Sequence, residues 1–233
     1  MICVDADATT GAATGLTWTD AYTNVQDALS VTRANPGIDY DIWVAEGVYT
    51  PDVGGDAIAD TATMSFTLRH NNVRLYGGFA GDETARGERD WMAHPTILSG
   101  DLQQDDATDA RGVVTSTEGI VGANAYHVLW LDGVTNEAIT ETTVIDGFII
   151  TAGAASTNYG GGLYCDGSGN KCSPTLSNLT FSGNKAYCGG GMYSNGNDGI
   201  SSPILTNVTF SGNRAGLGGG MYNHAVDGDS SPT

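Results

Sequence analysis

The sequence predicts an all-β chain: a parallel β-helix with one α-helix capping its amino-terminal end. Three observations predict it. Gly160-Gly-Gly-Leu-Tyr164 recurs as Gly189-Gly-Gly-Met-Tyr193 and as Gly218-Gly-Gly-Met-Tyr222, a step of 29 residues each time (189 − 160 and 218 − 189). Asn178-Leu-Thr-Phe-Ser-Gly-Asn184 returns at the same step as Asn207-Val-Thr-Phe-Ser-Gly-Asn213. Ser173-Pro174 returns as Ser202-Pro203 and Ser231-Pro232. A period of about 20–50 residues marks a solenoid, propeller or array. No run inside the unit has apolar residues at helical spacing, whereas short β-rich pieces such as Leu176–Phe181 and Ile204–Phe210 lie between turn-rich ones. A propeller blade needs about 40–50 residues and four strands, so this unit is too short for one.

A constant step on a parallel solenoid puts equivalent residues one strand spacing apart, about 4.8 Å. It therefore predicts stacks of Phe181 on Phe210, Asn178 on Asn207, Asn184 on Asn213, and Tyr164 on Tyr193 and Tyr222. Asn columns can hydrogen-bond along the axis, and the triple Gly allows positive φ and close backbone approach at a bend.

Taken in order, the chain divides into three parts. Residues 1–40 hold a short strand, Ile2–Val4, a loop, and the one helical pattern, Trp18 to Ala34. Thr17 or Thr19 is its expected N-cap and Asn35-Pro-Gly37 its stop. Such a helix is expected to cover the apolar interior of the first coil. Asp5-x-Asp7 superficially suggests a calcium loop, but Thr10 stands where that loop needs Gly, so a plain connecting loop is expected. Residues 41–159 are irregular coils, with strands expected at Asp41–Tyr49, Ser65–Leu68, Val73–Tyr76, Thr96–Ser99, His127–Leu131 and Thr143–Ile150. A turn is expected over Gly77–Glu83, and no Lys-Ser/Thr follows to make it a phosphate loop. Residues 160–233 are the regular repeats, and Ser230–Thr233 reads as the start of another. The expectation is a fragment of a longer protein, or an end covered by a neighbouring chain.

Composition narrows the function. The net charge is −18, and 21 of the 27 acidic residues are Asp. Nucleic acid and anionic membrane need Lys/Arg clusters and are not expected as partners. No apolar stretch is long enough to span a membrane. The acidity is compatible with Ca²⁺ and with an extracellular setting. Cys165 and Cys172 occupy one turn, and both become Ser one repeat later, at Ser194 and Ser201. A local disulfide in an oxidising compartment is favoured over a zinc site, since no His is nearby in sequence. Cys188 aligns with Leu217 and reads as a buried apolar residue, while Cys3 has no evident partner. Asn178 and Asn207 also match the glycosylation acceptor pattern, with an internal amide role the stronger reading.

Phe181–Ala186 with Gly189–Tyr193, and Phe210–Ala215 with Gly218–Tyr222, resemble the repeat of the polymorphic outer-membrane proteins. They are also similar to the wider set of bacterial secreted right-handed β-helix proteins of the pectin-lyase-like superfamily. Trp18-x-Asp-Ala-Tyr22 and Ile42-Trp-Val-Ala-Glu-Gly-x-Tyr-x-Pro51 resemble the amino-terminal part of such proteins. Tyr76-Gly-Gly-Phe79, Leu98-Ser-Gly-Asp101 and Asp146-Gly-Phe-x-Ile150 fit the same pattern, so the resemblance covers nearly the whole chain. It implies a right-handed coil and a bacterial surface or secreted setting.

Enzymes on that fold are lyases using Ca²⁺-binding acids with an Arg or Lys base, or glycosidases using two carboxylates roughly 5–9.5 Å apart. Asp101, Asp105 and Asp146 are the catalytic candidates, with Asp106 beside them and Arg89, Arg111 or His127 in support. None lies in a motif that matches a catalytic family, and each has a turn or strand-end role available. The expected function is a non-catalytic structural or adhesive segment, able to pack end to end or to meet a polysaccharide or cell surface. A polysaccharide lyase or glycosidase, and a carbohydrate-binding module using exposed Tyr and Trp, are the alternatives. Any site is expected in the non-repeating loops between Val53 and Asn136.

Overall fold

The computed structural model describes residues 1–233. Its elements in chain order begin with β1 (Ile2–Val4), α1 (Val25–Ala34), β2 (Tyr40–Ala45), β3 (Gly47–Tyr49), β4 (Phe66–Leu68) and β5 (Val73–Phe79). There follow β6 (Thr96–Ser99), β7 (Leu129–Asp132), β8 (Val144–Asp146), β9 (Phe148–Thr151), β10 (Ala154–Tyr159) and β11 (Leu163–Asp166). The last are β12 (Thr175–Ser182), β13 (Lys185–Cys188), β14 (Met192–Asn195), β15 (Ile204–Ser211), β16 (Arg214–Leu217) and β17 (Met221–His224). The chain is thus mostly strand, with a single α-helix, and every pairing between these strands is parallel.

Three sheets result. The nine-stranded one curls, because its rungs bend where β2 gives way to β3 and β8 to β9. Its path runs β1-β2-β5-β8-β12-β9-β6-β3, with β15 added on β12. A five-stranded sheet is ordered β17-β14-β11-β7-β4, and a three-stranded one β10-β13-β16. Register follows the sequence repeat: Phe181 pairs with Phe210, Tyr164 with Tyr193, and Tyr193 with Tyr222. The same columns continue into the irregular part at longer steps. Ile42, Leu75, Ile145, Leu176 and Leu205 form one line of paired residues, and Phe66, Leu129, Leu163, Met192 and Met221 form another.

These inward columns make one apolar core of 27 buried residues. Between the sheets such packing is dry and dense, worth roughly 1.5–3 kcal/mol for each large side chain buried. Val25, Ala28 and Leu29 of α1 join the same core. The helix packs on β1, β2 and β4. It is shorter than its sequence pattern predicts. Asn24, not Thr17 or Thr19, is the N-cap, its side chain accepting from the Asp27 amide. Trp18 lies outside the helix because its indole donates to the Glu83 carbonyl and packs against Trp43 and Phe79.

One other segment differs from expectation: Gly77–Phe79 continue β5 rather than turning, with the turn beginning after Phe79. Thr143–Ile150 carries β8 and β9, divided at Gly147, which takes a φ of 84°. The triple glycines have a concrete cause. A Cβ on Gly189, where φ is 65°, would sit 2.3 Å from the Met192 carbonyl oxygen, and one on Gly190 would sit 2.5 Å from that of Gly219. No helix in the chain is long and apolar enough to cross a membrane.

Candidate functional site

The loop after β6 brings Asp101, Asp105 and Asp106 together, one carboxylate oxygen of each lying within 4.8 Å of the others. Asp101 is buried at the corner, where its two oxygens accept the amides of Asp105 (3.2 Å) and Asp106 (3.1 Å). Asp106 in turn accepts from the Val121 amide (2.6 Å) and from Asn124 Nδ2 (2.7 Å). Burial pushes the Asp106 carboxyl above its ordinary range, against the pull of these two donors. The three acids are hard oxygen donors of the kind that hold Ca²⁺. Their oxygens are closer together than the carboxylate pair of a glycosidase. They also organise the loop: the four donor groups that hold Asp101 and Asp106 all come from the connection between β6 and β7.

Asp146 is not part of this group. It ends β8 and pairs with Arg89 at 2.8 Å, both side chains being largely buried. Arg89 also donates to the Gly77 carbonyl (2.9 Å) and lies over the rings of Tyr76 and Trp91. Asn178 Nδ2 donates to Asp146 (2.9 Å), and Asn207 Nδ2 donates to Asn178 Oδ1 (2.8 Å). A buried charge is thereby matched to one guanidinium and tied to an amide ladder across three rungs. Asn178 and Asn207 hold φ of 51° and 53°, continuing the bend that Gly147 makes on the previous rung. Arg111 pairs with Asp109 at 2.8 Å. His127 faces the Gly160 carbonyl through Nδ1 at 2.9 Å, and burial lowers its pKa despite that contact.

Asn184 is fully buried between coils. Its Oδ1 accepts from the Gly153 amide (2.9 Å), and its Nδ2 donates to the Ile150 carbonyl (2.9 Å) and to Asn213 Oδ1 (3.0 Å). Phe181 and Phe210 stack with centroids 5.1 Å apart and planes 9° from parallel. Cys165 and Cys172 form a disulfide. On the next rung Ser194 and Ser201 occupy the equivalent places and hydrogen-bond through their hydroxyls at 2.7 Å. Cys3 and Cys188 are buried free thiols, and burial pushes Cys3 up to about 11.

One further arrangement lies on the outer face of the five-stranded sheet. Trp130, Tyr164, Tyr193 and Tyr222 form a continuous aromatic column, with centroids 6.4, 5.6 and 5.7 Å apart in turn. At its Trp130 end, Arg33 from α1 and Arg69 from the end of β4 line a single cavity. Sequence reasoning found the tyrosines but not Trp130, because an insertion lengthens the Trp130–Tyr164 step and hides it from a 29-residue search. It also missed the arginines, which are 36 residues apart and belong to no motif (69 − 33). Fold and side chains together define a parallel-stranded, mostly β protein with paired polar columns and an acidic corner. No protein-family model, curated protein or solved structure matches the chain.

Proposed function

We propose that the chain is a right-handed parallel β-helix segment acting without turnover as a structural or adhesive element of a bacterial surface or secreted protein. The observation that carries this reading is the common register of the repeats in all three sheets, from Phe181–Phe210 to Ala186–Ala215 to Tyr193–Tyr222. The right hand rests on the strong bias of parallel crossover connections and on the resemblance of the Phe-Ser-Gly-Asn and Gly-Gly-Gly-Met-Tyr repeats to that superfamily. The disulfide and the charge of −18 support an extracellular location. Asp146 and Asp101 favour a structural role because their oxygens are taken up by Arg89, Asn178 and backbone amides. Partners in this reading are further coils, a second copy, or a polysaccharide or cell surface.

The test is incubation with a panel of acidic and neutral polysaccharides, following ultraviolet absorbance for unsaturated products and reducing ends for hydrolysis. The reading expects neither signal above a heat-denatured control. A rate that disappears in Asp101→Asn or Asp146→Asn would replace it with the lyase or glycosidase. A second reading, carbohydrate binding without turnover, is favoured by the exposed rings of Tyr159, Tyr187 and Trp91, since aromatic faces stack on sugar rings. Ca²⁺ is the ion that Asp101, Asp105 and Asp106 would take. Under that assignment Ca²⁺ raises the unfolding temperature of the wild type and does not raise that of Asp106→Asn.

A further inference from the structure

We infer that the cleft between α1 and β4 is a binding site for a tetrahedral oxyanion, a phosphate or sulfate group. The cavity measures about 220 Å³ and is lined by Arg33 and Arg69, with Gln26, Ser65, Thr67 and Trp130 among its walls. Two guanidinium groups therefore share one small space in a chain that carries nine Lys and Arg against 27 acids. Such convergence creates a local positive potential that attracts an anion.

The carboxylates nearby do not remove the need. Asp132 lies 3.4 Å from Arg69 Nε, but that approach satisfies neither atom as a hydrogen bond, and the Asp132 Oδ1 is already shared by the Val134 and Thr135 amides. Asp56, exposed at the rim, makes no ion pair with either arginine within 4.0 Å. Arg33 has only the Ser30 hydroxyl as a partner, at 2.8 Å. Burial first, and then the Arg69 charge, lower its pKa, with Asp56 opposing.

The chemistry selects the ligand. Each guanidinium presents a fork of donors, and two forks offer more hydrogen bonds than the two oxygens of a single carboxylate accept. A phosphate or sulfate has three or four oxygens and takes both. The two guanidinium groups carry the recognition, because the neutral donors of the walls are already engaged: the Ser65 hydroxyl donates to the His127 carbonyl (2.6 Å) and the Thr67 hydroxyl to the Ser65 carbonyl (3.3 Å). Gln26 Nε2 already donates to the Pro51 carbonyl (2.6 Å) and the Ser65 carbonyl (3.0 Å), which holds this wall of the cleft in place. The site needs only the folded amino-terminal coils and stands apart from the structural or adhesive reading, so it survives if that reading fails.

The test is a calorimetric titration of the whole chain with inorganic phosphate and inorganic sulfate, at fixed ionic strength against a chloride control. The wild type is expected to bind at one saturable site. Arg33→Gln, at a half-buried position in the last turn of α1, is expected to weaken binding about tenfold, the loss of one charge-assisted partner. Circular dichroism reports whether its fold is kept, and Arg33→Lys should recover part of the affinity. Arg214→Gln, in a distant coil, should bind as the wild type does. A sulfated monosaccharide that binds more tightly than inorganic sulfate identifies the ligand as an ester; the reverse order identifies the free ion. Heat no greater than that of chloride, or equal affinity in Arg33→Gln and wild type, overturns the site.

Discussion

Asn184 shows how one amide joins neighbouring parallel strands. It satisfies a donor and an acceptor of the preceding rung out of contact with water, and meets the half-buried Asn213 on the following one. Asn184→Ala leaves buried backbone groups unpaired, at a cost of about 3 kcal/mol, read from urea unfolding. Asn213→Ala, at the more exposed end of the ladder, should cost about 1 kcal/mol. Asp146→Ala should be as damaging as the first, about 3 kcal/mol, since it strands the guanidinium of Arg89, whose side chain is 9% exposed. Asp106 differs in sign. Burial raises its folded pKa above the unfolded value, so its contribution is fully present below about pH 4 and is lost as pH rises through the raised value. Asp106→Asn therefore removes a loss of stability above that window, and its unfolding free energy should vary less with pH there than that of the wild type. Ca²⁺ at the same acids would oppose this trend, because an ion needs the charged form.

The elements carry the repeat unevenly. The strands of the regular part were legible because a fixed step imposes the same pairing on every rung, as with β12 on β15 and β14 on β17. The helix was legible as an element but not at its start: Trp18 and Tyr22 keep the apolar spacing of a helix while serving a loop docked on Trp43 and Phe79. Tertiary packing decided that boundary, and the Asn24 cap marks it. Asn24→Ala should cost about 1 kcal/mol, visible as a lower unfolding temperature. The acidic cluster was legible as a sequence of aspartates, but its closure depends on Val121 and Asn124, which arrive from a later turn. The disulfide belongs to a short loop. Replacing both cysteines, Cys165→Ser with Cys172→Ser, copies the Ser194–Ser201 hydroxyl pair of the next rung. The fold should persist with a loss of about 2–3 kcal/mol, the loop-closure entropy of so small a ring.

At the scale of the molecule, the nine-stranded and five-stranded parallel sheets share a core that runs from Ile2 and α1 to Met192, with Leu205, Phe210 and Met221 packed on its far end. Side chains far apart in sequence meet through the register of the parallel strands. That is why the aromatic column and the Arg33–Arg69 cleft were hidden from the sequence, whereas the repeating Phe, Asn and Tyr positions were not. The central claim is that one repeat advances the chain by one strand spacing. An oxidative cross-linking measurement with paired cysteines on the outer face of β12 and β15 tests it most directly. Thr180 and Thr209 are register partners, and adjacent parallel strands put such Cα atoms about 4.8 Å apart, within disulfide reach. Thr180→Cys with Thr209→Cys should close an intramolecular disulfide in nearly all molecules, while Thr180→Cys with Thr206→Cys or with Ser211→Cys should remain reduced. Equal or greater closure of either displaced pair would contradict the 29-residue register and the account built on it.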